Sequence, residues 1–256
     1  MTLGEKQIGA ANRTILLVGE TGAGKSTLIN ALVNFTMGVT WEDDVWFQIV
    51  EETRGRSQSQ SQTSDVTVYQ IFGFGGKTLP CSLTIIDTPG YGDIGGIKAA
   101  NSIKQQLLDL FRSADGVHEI HAVGLVLKAT ENRLTDRQRH VLDLALSPFG
   151  KDMEKNTVAL LTHSDGLAPK NALKVLGDAN VKCAKDERNQ PVHFLFNSHQ
   201  RDQRTGEQEL ALRAAWDLTD LQMRRFTEFL GRAAPRRPKA TVEVLTEQIR
   251  AGRQQR

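Results

Sequence analysis

The chain has 256 residues, a length that suits one large domain or a domain and a half. Its 39% apolar and 24% charged residues exclude wholesale disorder and collagen-like structure, and its 32 basic and 30 acidic residues give no general reason to expect nucleic acid or an anionic membrane as a partner. Two cysteines cannot build a disulfide framework, the first 13 residues lack the apolar core of a signal peptide, and no stretch reaches the roughly 18 apolar residues of a membrane span. We therefore expect a soluble, cytoplasmic protein.

Short apolar runs alternate with longer amphipathic stretches along the chain. The runs that predict buried strands are residues 14–19, 66–72, 82–87, 122–128, 157–162 and 192–197. Helical spacing predicts helices over residues 25–35, 103–111 and 135–146, and Thr219 with Gln222 has the spacing of a capping box at the start of a further helix. This alternation predicts an α/β fold, a three-layer domain whose mostly parallel sheet of about six strands carries helices on both faces.

Two stretches interrupt this alternation. Residues 38–64 hold no clean period and their second half is rich in Ser and Gln, so this long loop is either functional or disordered. Residues 233–256 form a basic linker followed by one amphipathic helix that the main core need not include. We therefore expect a polar lead over residues 1–13, one domain over 14–232 and this separate C-terminal segment.

Residues 19–26 read GETGAGKS and lie between the first predicted strand and the first predicted helix. This is the full phosphate-binding loop pattern in the context that the pattern requires, which disfavours a chance glycine turn. Its glycines allow successive backbone N–H groups to face a phosphate at a helix N-terminus. We expect Lys25 to reach the β- and γ-phosphates and the Ser26 hydroxyl to ligate Mg²⁺.

Two further motifs follow strands of the same predicted sheet. Asp87 ends a strand in IIDTPG, where it can hold Mg²⁺ through water while the Gly90 N–H bonds the γ-phosphate; the alternative is a plain Asp–Pro–Gly turn. Asp165 follows a strand in LLTHSD, where its carboxylate can accept both N–H groups of guanine that adenine lacks; the alternative is a helix N-cap. Asn197 lies at the same edge after the last run and is a weaker signal.

Taken in order, GETGAGKST, IIDTPGYGD, THSD and FNS resemble the septin-like and immunity-associated (GIMAP, AIG-type) GTPases and their Toc-related plant import relatives. The resemblance spans about Thr14 to Leu230. It implies a Ras-like P-loop G domain that binds GTP or GDP with Mg²⁺ and forms nucleotide-dependent dimers or filaments across its nucleotide face. It also implies that GTP orders residues 38–64, whose later part is the first switch loop, and residues 90–97.

The resemblance assigns roles to individual positions. It places the Mg²⁺-binding threonine of the first switch loop on Thr63, with Ser64 or Thr67 open if the register slips. With that threonine, Ser26 and Asp87 (through water) are the metal residues, and Lys25, Thr63 and Gly90 are the catalytic ones. The nucleotide contacts that it implies are Gly19, Glu20, Thr21, Gly22, Ala23, Gly24, Lys25, Ser26, Thr27, Asp87, Gly90, Thr162, His163, Asp165, Asn197 and Ser198.

The sequence departs from the common pattern at two positions. His163 stands where the NKxD pattern has lysine, and Tyr91 follows DTPG where Ras-type enzymes place the glutamine that orients the attacking water. We therefore expect slow hydrolysis in the monomer and activation by a group from a second subunit. A GTP-bound scaffold with negligible hydrolysis is the alternative; an ATPase or P-loop kinase is a third interpretation, which leaves THSD unexplained.

Two surface features have competing interpretations. Trp41, Trp46 and Phe47 either form part of a nucleotide-dependent dimer surface or pack on the helices. The basic cluster at residues 232–239 is either a weak contact for acidic lipid or a solvated hinge.

Overall fold

The computed structural model describes most of the chain, namely residues 1–4, 11–43, 45–50, 65–72, 81–90, 96–131, 133, 139, 143, 146–149, 151–200 and 202–254. Three residues weighed above, Thr63, Ser64 and Tyr91, lie outside these ranges, as does most of the helix predicted over 135–146. Within the described ranges, no helix has both the length and the apolar character needed to span a bilayer.

Seven strands and five longer helices are formed by the described residues. The strands are β1 (Thr2–Leu3), β2 (Ala11–Gly19), β3 (Thr67–Ile71), β4 (Cys81–Asp87), β5 (Ala122–Lys128), β6 (Thr157–Thr162) and β7 (His193–Leu195). The helices are α1 (Lys25–Met37), α2 (Gly96–Arg112), α3 (Lys170–Asp178), α4 (Glu209–Arg232) and α5 (Lys239–Gln254), and a 3₁₀ turn covers Lys151–Asn156.

The strands form one sheet in the order β1-β3-β4-β2-β5-β6-β7. Only the β3–β4 pair is antiparallel among the paired strands described. The mostly parallel α/β fold is thus confirmed, with β1 as a seventh strand inside the expected polar lead. Two residues that pair with β3 carry too little periodicity to be recognised in a sequence.

The sheet is covered on both faces, as predicted. Along β2, Ile15 and Leu17 face one hydrophobic cluster and Leu16 and Val18 face the other, and all four are fully buried. Helices α1 and α4 contribute side chains to the first cluster, and α2 and α5 contribute to the second. Because β2, β4, β5, β6 and β7 run parallel in register, their carboxyl ends meet at one edge of the sheet.

The prediction for the start of α4 was wrong. The helix begins at Glu209, and Thr219 and Gln222 lie buried in its middle. The Thr219 hydroxyl donates to the Asn197 carbonyl at 2.8 Å and accepts from the Asn197 N–H at 3.1 Å, while the Gln222 side-chain oxygen accepts from the Leu195 N–H at 3.3 Å. These polar side chains pair with backbone groups of β7 and of the loop that follows it. Their three-residue spacing is that of a capping box, although they lie in the middle of the helix.

The C-terminal segment packs more closely than expected. Leu245 of α5 is fully buried in the same cluster as Ile103 and Leu107 of α2. Two backbone hydrogen bonds, at 2.9 and 2.8 Å, join Arg236 of the linker before α5 to Ile120, two residues before β5. We expected a core that need not include this helix, but α5 covers apolar side chains of α2 and shares their cluster. The division of the chain into domains remains a prediction.

Candidate functional site

The phosphate-binding loop joins the end of β2 to the start of α1. Gly22 and Gly24 adopt φ angles of +77° and +92°, in the left-handed region, and Gly24 immediately precedes the first helical residue. Lys25 is buried, and its ammonium donates to the carbonyls of Gly19 at 2.9 Å and Glu20 at 3.2 Å. The ammonium thus lies over its own loop, where the oxygens of a bound phosphate can reach it.

The DTPG turn after β4 lies directly against this loop. A Cβ added at Gly90 would stand 2.2 Å from the Thr21 hydroxyl oxygen and 2.8 Å from the Thr21 backbone nitrogen. Asp87 is fully buried, and the neighbouring Thr88 hydroxyl donates to the Leu17 carbonyl of β2 at 2.8 Å. The structure therefore brings Gly90 against the phosphate loop and pairs Asp87 with Leu17, two residues before the end of β2.

Thr162 connects the phosphate loop to the THSD segment. Its buried hydroxyl donates to the Ala23 carbonyl at 2.7 Å, and its methyl carbon would lie 3.2 Å from a Cβ at Gly24. His163 follows with a φ of +54°, and its Nδ1 lies 3.0 Å from the Thr162 hydroxyl. Desolvation, followed by the charges of Lys128 and His199, lowers the pKa of His163, so its ring is neutral near pH 7.

Asp165 is exposed at the same edge, with one carboxylate oxygen accepting from the Leu167 N–H at 2.9 Å. The next helix, α3, begins five positions later with Pro169 as its N-cap. Asp165 therefore does not cap that helix, so the helix N-cap alternative is wrong; its role as a guanine reader stays a prediction. The Ser164 N–H donates to the Phe196 carbonyl at 3.1 Å and so joins the THSD segment to the loop after β7.

The loop after β7 holds two buried polar atoms that lack hydrogen-bond partners in the described part of the chain. Among the residues that the structure describes, the side-chain oxygens of Asn197 and Ser198 have no hydrogen-bond partner. The buried Thr21 hydroxyl of the phosphate loop also has no hydrogen-bond partner among these residues. Buried polar groups are nearly always paired, so three such atoms along one sheet edge indicate a polar ligand that pairs them.

These residues fit a guanine nucleotide with Mg²⁺. The loop at the start of α1 offers backbone N–H groups and an ammonium for phosphates, Ser26 and Asp87 offer oxygen atoms to a hard cation, and Asp165 and Asn197 offer acceptors and a donor to a base. Of the candidates for the switch residue, Thr67 is described: it faces Asp87 in the β3–β4 register and its hydroxyl donates to the Asp65 carbonyl at 3.3 Å.

Sequence reasoning missed two asparagines of α1 that hold residues 47–50. The Asn30 side chain accepts from the N–H groups of Ile49 and Val50 at 2.9 and 3.0 Å, and donates to the Val50 carbonyl at 3.1 Å. The Asn34 side chain accepts from the Phe47 N–H at 2.8 Å and donates to its carbonyl at 2.6 Å. Two asparagines four residues apart in an apolar helix were the available signal, since a buried amide needs partners.

The aromatic residues before the first switch loop divide between the two interpretations. Trp41 and Trp46 pack edge-on against Trp216 of α4, with ring centroids 5.9 and 6.1 Å apart. Phe47 instead leaves 43% of its surface exposed. The two tryptophans therefore pack on a helix, whereas Phe47 is exposed.

Comparison with known proteins gives both sequence and structural relatives. The model of the AIG1 family matches residues 13–212. Cell division control protein 10 of Saccharomyces cerevisiae is 25% identical over 73% of this chain and 52% of its own length. GTP-binding protein A of Dictyostelium discoideum is 29% identical over 60% of this chain and 29% of its own length, so the chain spans about half or less of these relatives.

Solved structures share the fold. Toc33 from Arabidopsis thaliana, in complex with GDP and Mg²⁺, superposes with a TM-score of 0.54 at 19% identity, covering 93% of this chain and 85% of Toc33. A structure from the chloroplast translocon components atToc33 and psToc159, for whose GTPase activity dimerisation is important, has a TM-score of 0.56 at 19% identity, with 87% and 84% covered. Identities this low establish the fold alone. The family match over residues 13–212 establishes more, and confirms the resemblance carried by the four motifs: this chain belongs to the AIG1 family.

Proposed function

We propose that this chain binds GTP and GDP with Mg²⁺ and hydrolyses GTP slowly, as a nucleotide-dependent switch or assembly unit. The observation that carries the proposal is the pair of buried, unpartnered oxygens of Asn197 and Ser198, which lie on the sheet edge shared by the phosphate loop and Asp165. A phosphate loop alone suits any nucleoside triphosphate, whereas a polar base pocket beside Asp165 favours guanine. The name of the Dictyostelium relative, GTP-binding protein A, supports the same choice.

Each residue has a part in this proposal. Lys25 and the N–H groups of the phosphate loop would bind the β- and γ-phosphates, while Ser26 would hold Mg²⁺ directly and Asp87 would hold it through water. Gly90 donates its N–H to the γ-phosphate, and Thr63 supplies the remaining metal ligand from the first switch loop. Mg²⁺ would neutralise the charge that develops on the phosphates during hydrolysis. Asp165 reads the guanine ring, and Asn197 and Ser198 complete its polar contacts.

Retention of nucleotide tests this proposal directly. Purified protein is incubated with equal ATP and GTP plus Mg²⁺, free nucleotide is removed, and the bound fraction is identified by chromatography. We expect guanine nucleotide, and we expect Lys25→Ala to abolish its retention because the phosphates lose their ammonium. Retained adenine nucleotide, or tight GTP binding by the Lys25→Ala variant, would contradict the proposal.

Base recognition by Asp165 has its own test. In Asp165→Asn, a carboxylate oxygen becomes an amide donor, so the preference should move from guanine towards xanthine, whose ring carries a carbonyl in place of the amino group. The measurement compares GDP and XDP affinities of the wild type and the variant. An unchanged preference for GDP would place base recognition on other residues.

Hydrolysis promoted by a second copy of the chain is the finer part of the proposal. Tyr91 occupies the position of the water-orienting glutamine, so the monomer lacks the usual group there, and dimerisation is important for activity in the translocon GTPases that share the fold. Turnover per molecule should then rise with protein concentration. Near-zero turnover at every protein concentration, together with tight GTP binding, would instead favour the second candidate, a GTP-bound scaffold. Tyr91 in place of the glutamine is consistent with that candidate too.

The basic cluster adds a weaker proposal, contact with acidic lipid. Arg232, Arg237 and Lys239 are exposed, whereas Arg236 is engaged with Ile120 and, through its side chain, with Asn156 at 3.4 Å. Few free charges therefore remain for a lipid surface. Co-sedimentation with phosphatidylserine vesicles at low and physiological salt would test it.

A further inference from the structure

The chain before the first switch loop is fastened at two places. Residues 47–50 are held by Asn30 and Asn34 of α1 through the hydrogen bonds given above. Trp41, at the other end, packs on Trp216 of α4. We call residues 39–43 and 45–50 the leader segment, because they lead into the predicted switch loop.

The fastening at Trp41 comes from the loop that is proposed to bind the base. Arg204 places its guanidinium 3.9 Å from the centre of the Trp41 ring and donates a hydrogen bond to the Trp41 carbonyl. The same guanidinium lies 5.8 Å from the Trp216 ring. Arg213 of α4 reinforces the contact, with its guanidinium 5.3 Å from the Trp41 ring and an ion pair to Glu42 at 3.3 Å.

Arg204 belongs to the same loop as the two unpartnered oxygens. It lies seven residues beyond Asn197 in the loop between β7 and α4, and the Gln200 side chain of that loop donates to the Asn197 carbonyl at 3.0 Å. A small, partly open hollow lies between this loop, α1 and α4, and its lining includes Asn34, Trp46, Gln200 and Trp216.

From these contacts we propose that Arg204 is a positioning residue that couples the base-binding loop to the leader segment, so that a guanine seated against Asn197 and Ser198 repositions Trp41. The coupling rests on the proposed guanine-nucleotide function. It supplies a route from the base to the first switch loop that does not pass through the γ-phosphate. The cation–π contact of Arg204 on Trp41 is the central step of this route.

The chain offers an unusually clean reporter for this coupling. Trp41, Trp46 and Trp216 are its three tryptophans, and all belong to the cluster that Arg204 contacts. Intrinsic tryptophan fluorescence therefore reports on this cluster without background from elsewhere in the chain. Replacing Trp41 by Phe removes the one ring on which the guanidinium stacks most closely, and so separates its signal from that of the others.

The experiment compares a ligand with a base and one without. The full chain is saturated with GDP and Mg²⁺ or with inorganic tripolyphosphate and Mg²⁺, and occupancy is measured by equilibrium dialysis of radiolabelled GDP and its displacement by tripolyphosphate. We expect GDP to change the tryptophan emission and tripolyphosphate to leave it close to that of the free protein. Trp41→Phe should remove most of the GDP response.

Variants then test the role of Arg204. Arg204→Ala should lose at least half of the emission change while its GDP affinity falls by about two- to fivefold, the equivalent of an exposed cation–π contact. Arg232→Ala, which removes an exposed arginine paired with Glu228 at the far end of α4, should behave like the wild type. Urea unfolding checks that the exposed Arg204 can be replaced without loss of folding.

The outcomes separate this proposal from the one on which it rests. Equal emission changes with both ligands, no change at full GDP occupancy, or a full response in Arg204→Ala would each overturn the coupling and leave guanine binding intact. A wild-type chain that retains no GDP in the dialysis would overturn the proposed function, and the coupling with it.

Discussion

At the scale of single residues, Gly90 shows how closely the DTPG turn approaches the phosphate loop. A methyl group there meets the backbone of Thr21 as well as its side chain, and backbone cannot move aside cheaply. We expect Gly90→Ala to lower the free energy of unfolding by about 1–3 kcal/mol, the range for overpacked sites, and to weaken GTP retention. Urea unfolding and the nucleotide-retention assay measure both effects.

Gly177 of α3 is the matched control, because a Cβ at that position meets nothing within 4 Å. Gly177→Ala should raise the free energy of unfolding by about 0.5–1 kcal/mol through helix propensity alone. If both substitutions changed the free energy of unfolding equally, the close approach of Gly90 to Thr21 would not contribute to stability.

His121 carries a prediction about pH. It is buried beside β2, its Nδ1 accepts from the Thr14 N–H at 3.1 Å, and desolvation with the nearby charge of Arg13 lowers its pKa, against an opposing effect of Glu119. Above pH about 6.5 the ring is neutral in the folded and the unfolded chain, so it adds no pH dependence. Below that pH the unfolded chain binds the proton more readily, and stability should fall.

Urea unfolding at pH 7.5 and pH 5.5 measures this loss. His121→Asn keeps an acceptor oxygen near the position of Nδ1 but cannot be protonated, so its stability should fall less between the two pH values. A variant that loses as much stability as the wild type would assign the acid sensitivity to other groups, such as His163, whose pKa is lowered as well.

At the scale of secondary-structure elements, α4 supports the base-binding loop from beneath. Thr219→Val removes the hydroxyl that bonds both backbone groups of Asn197 while keeping the shape of the side chain. A buried N–H without a partner costs about 1–3 kcal/mol, so we expect unfolding at lower urea and weaker GDP binding. Thr219→Ser restores the hydroxyl and should recover most of both; a Val variant with normal GDP affinity would argue against this support.

At the scale of the whole molecule, the packing of α5 on α2 makes the C-terminal segment part of the stability of the fold. Leu245→Ala should lower the free energy of unfolding by about 2–5 kcal/mol, because it leaves a cavity among buried side chains. Leu210→Ala, at a leucine that is 84% exposed, should change it by about 0.5 kcal/mol or less. Equal effects in urea unfolding would mean that α5 is dispensable to the core.

Local sequence determined six of the seven described strands, the phosphate loop and the two motifs beside it. Buried strands read as apolar runs because both of their faces are covered, and the loop between β2 and α1 needs glycine and lysine at fixed spacing, so Lys25, Asp87 and Asp165 were recognisable one at a time. Only the tertiary structure decided what distant residues do to one another. Gln222 bonds β7 and Thr219 bonds the loop after it, both more than twenty positions away. Asn30 and Asn34 hold the leader segment, and Arg204 meets Trp41 across 163 positions of sequence. These contacts pair polar groups with partners that only the folded chain brings close, so they cannot be predicted from the spacing of residues along the sequence.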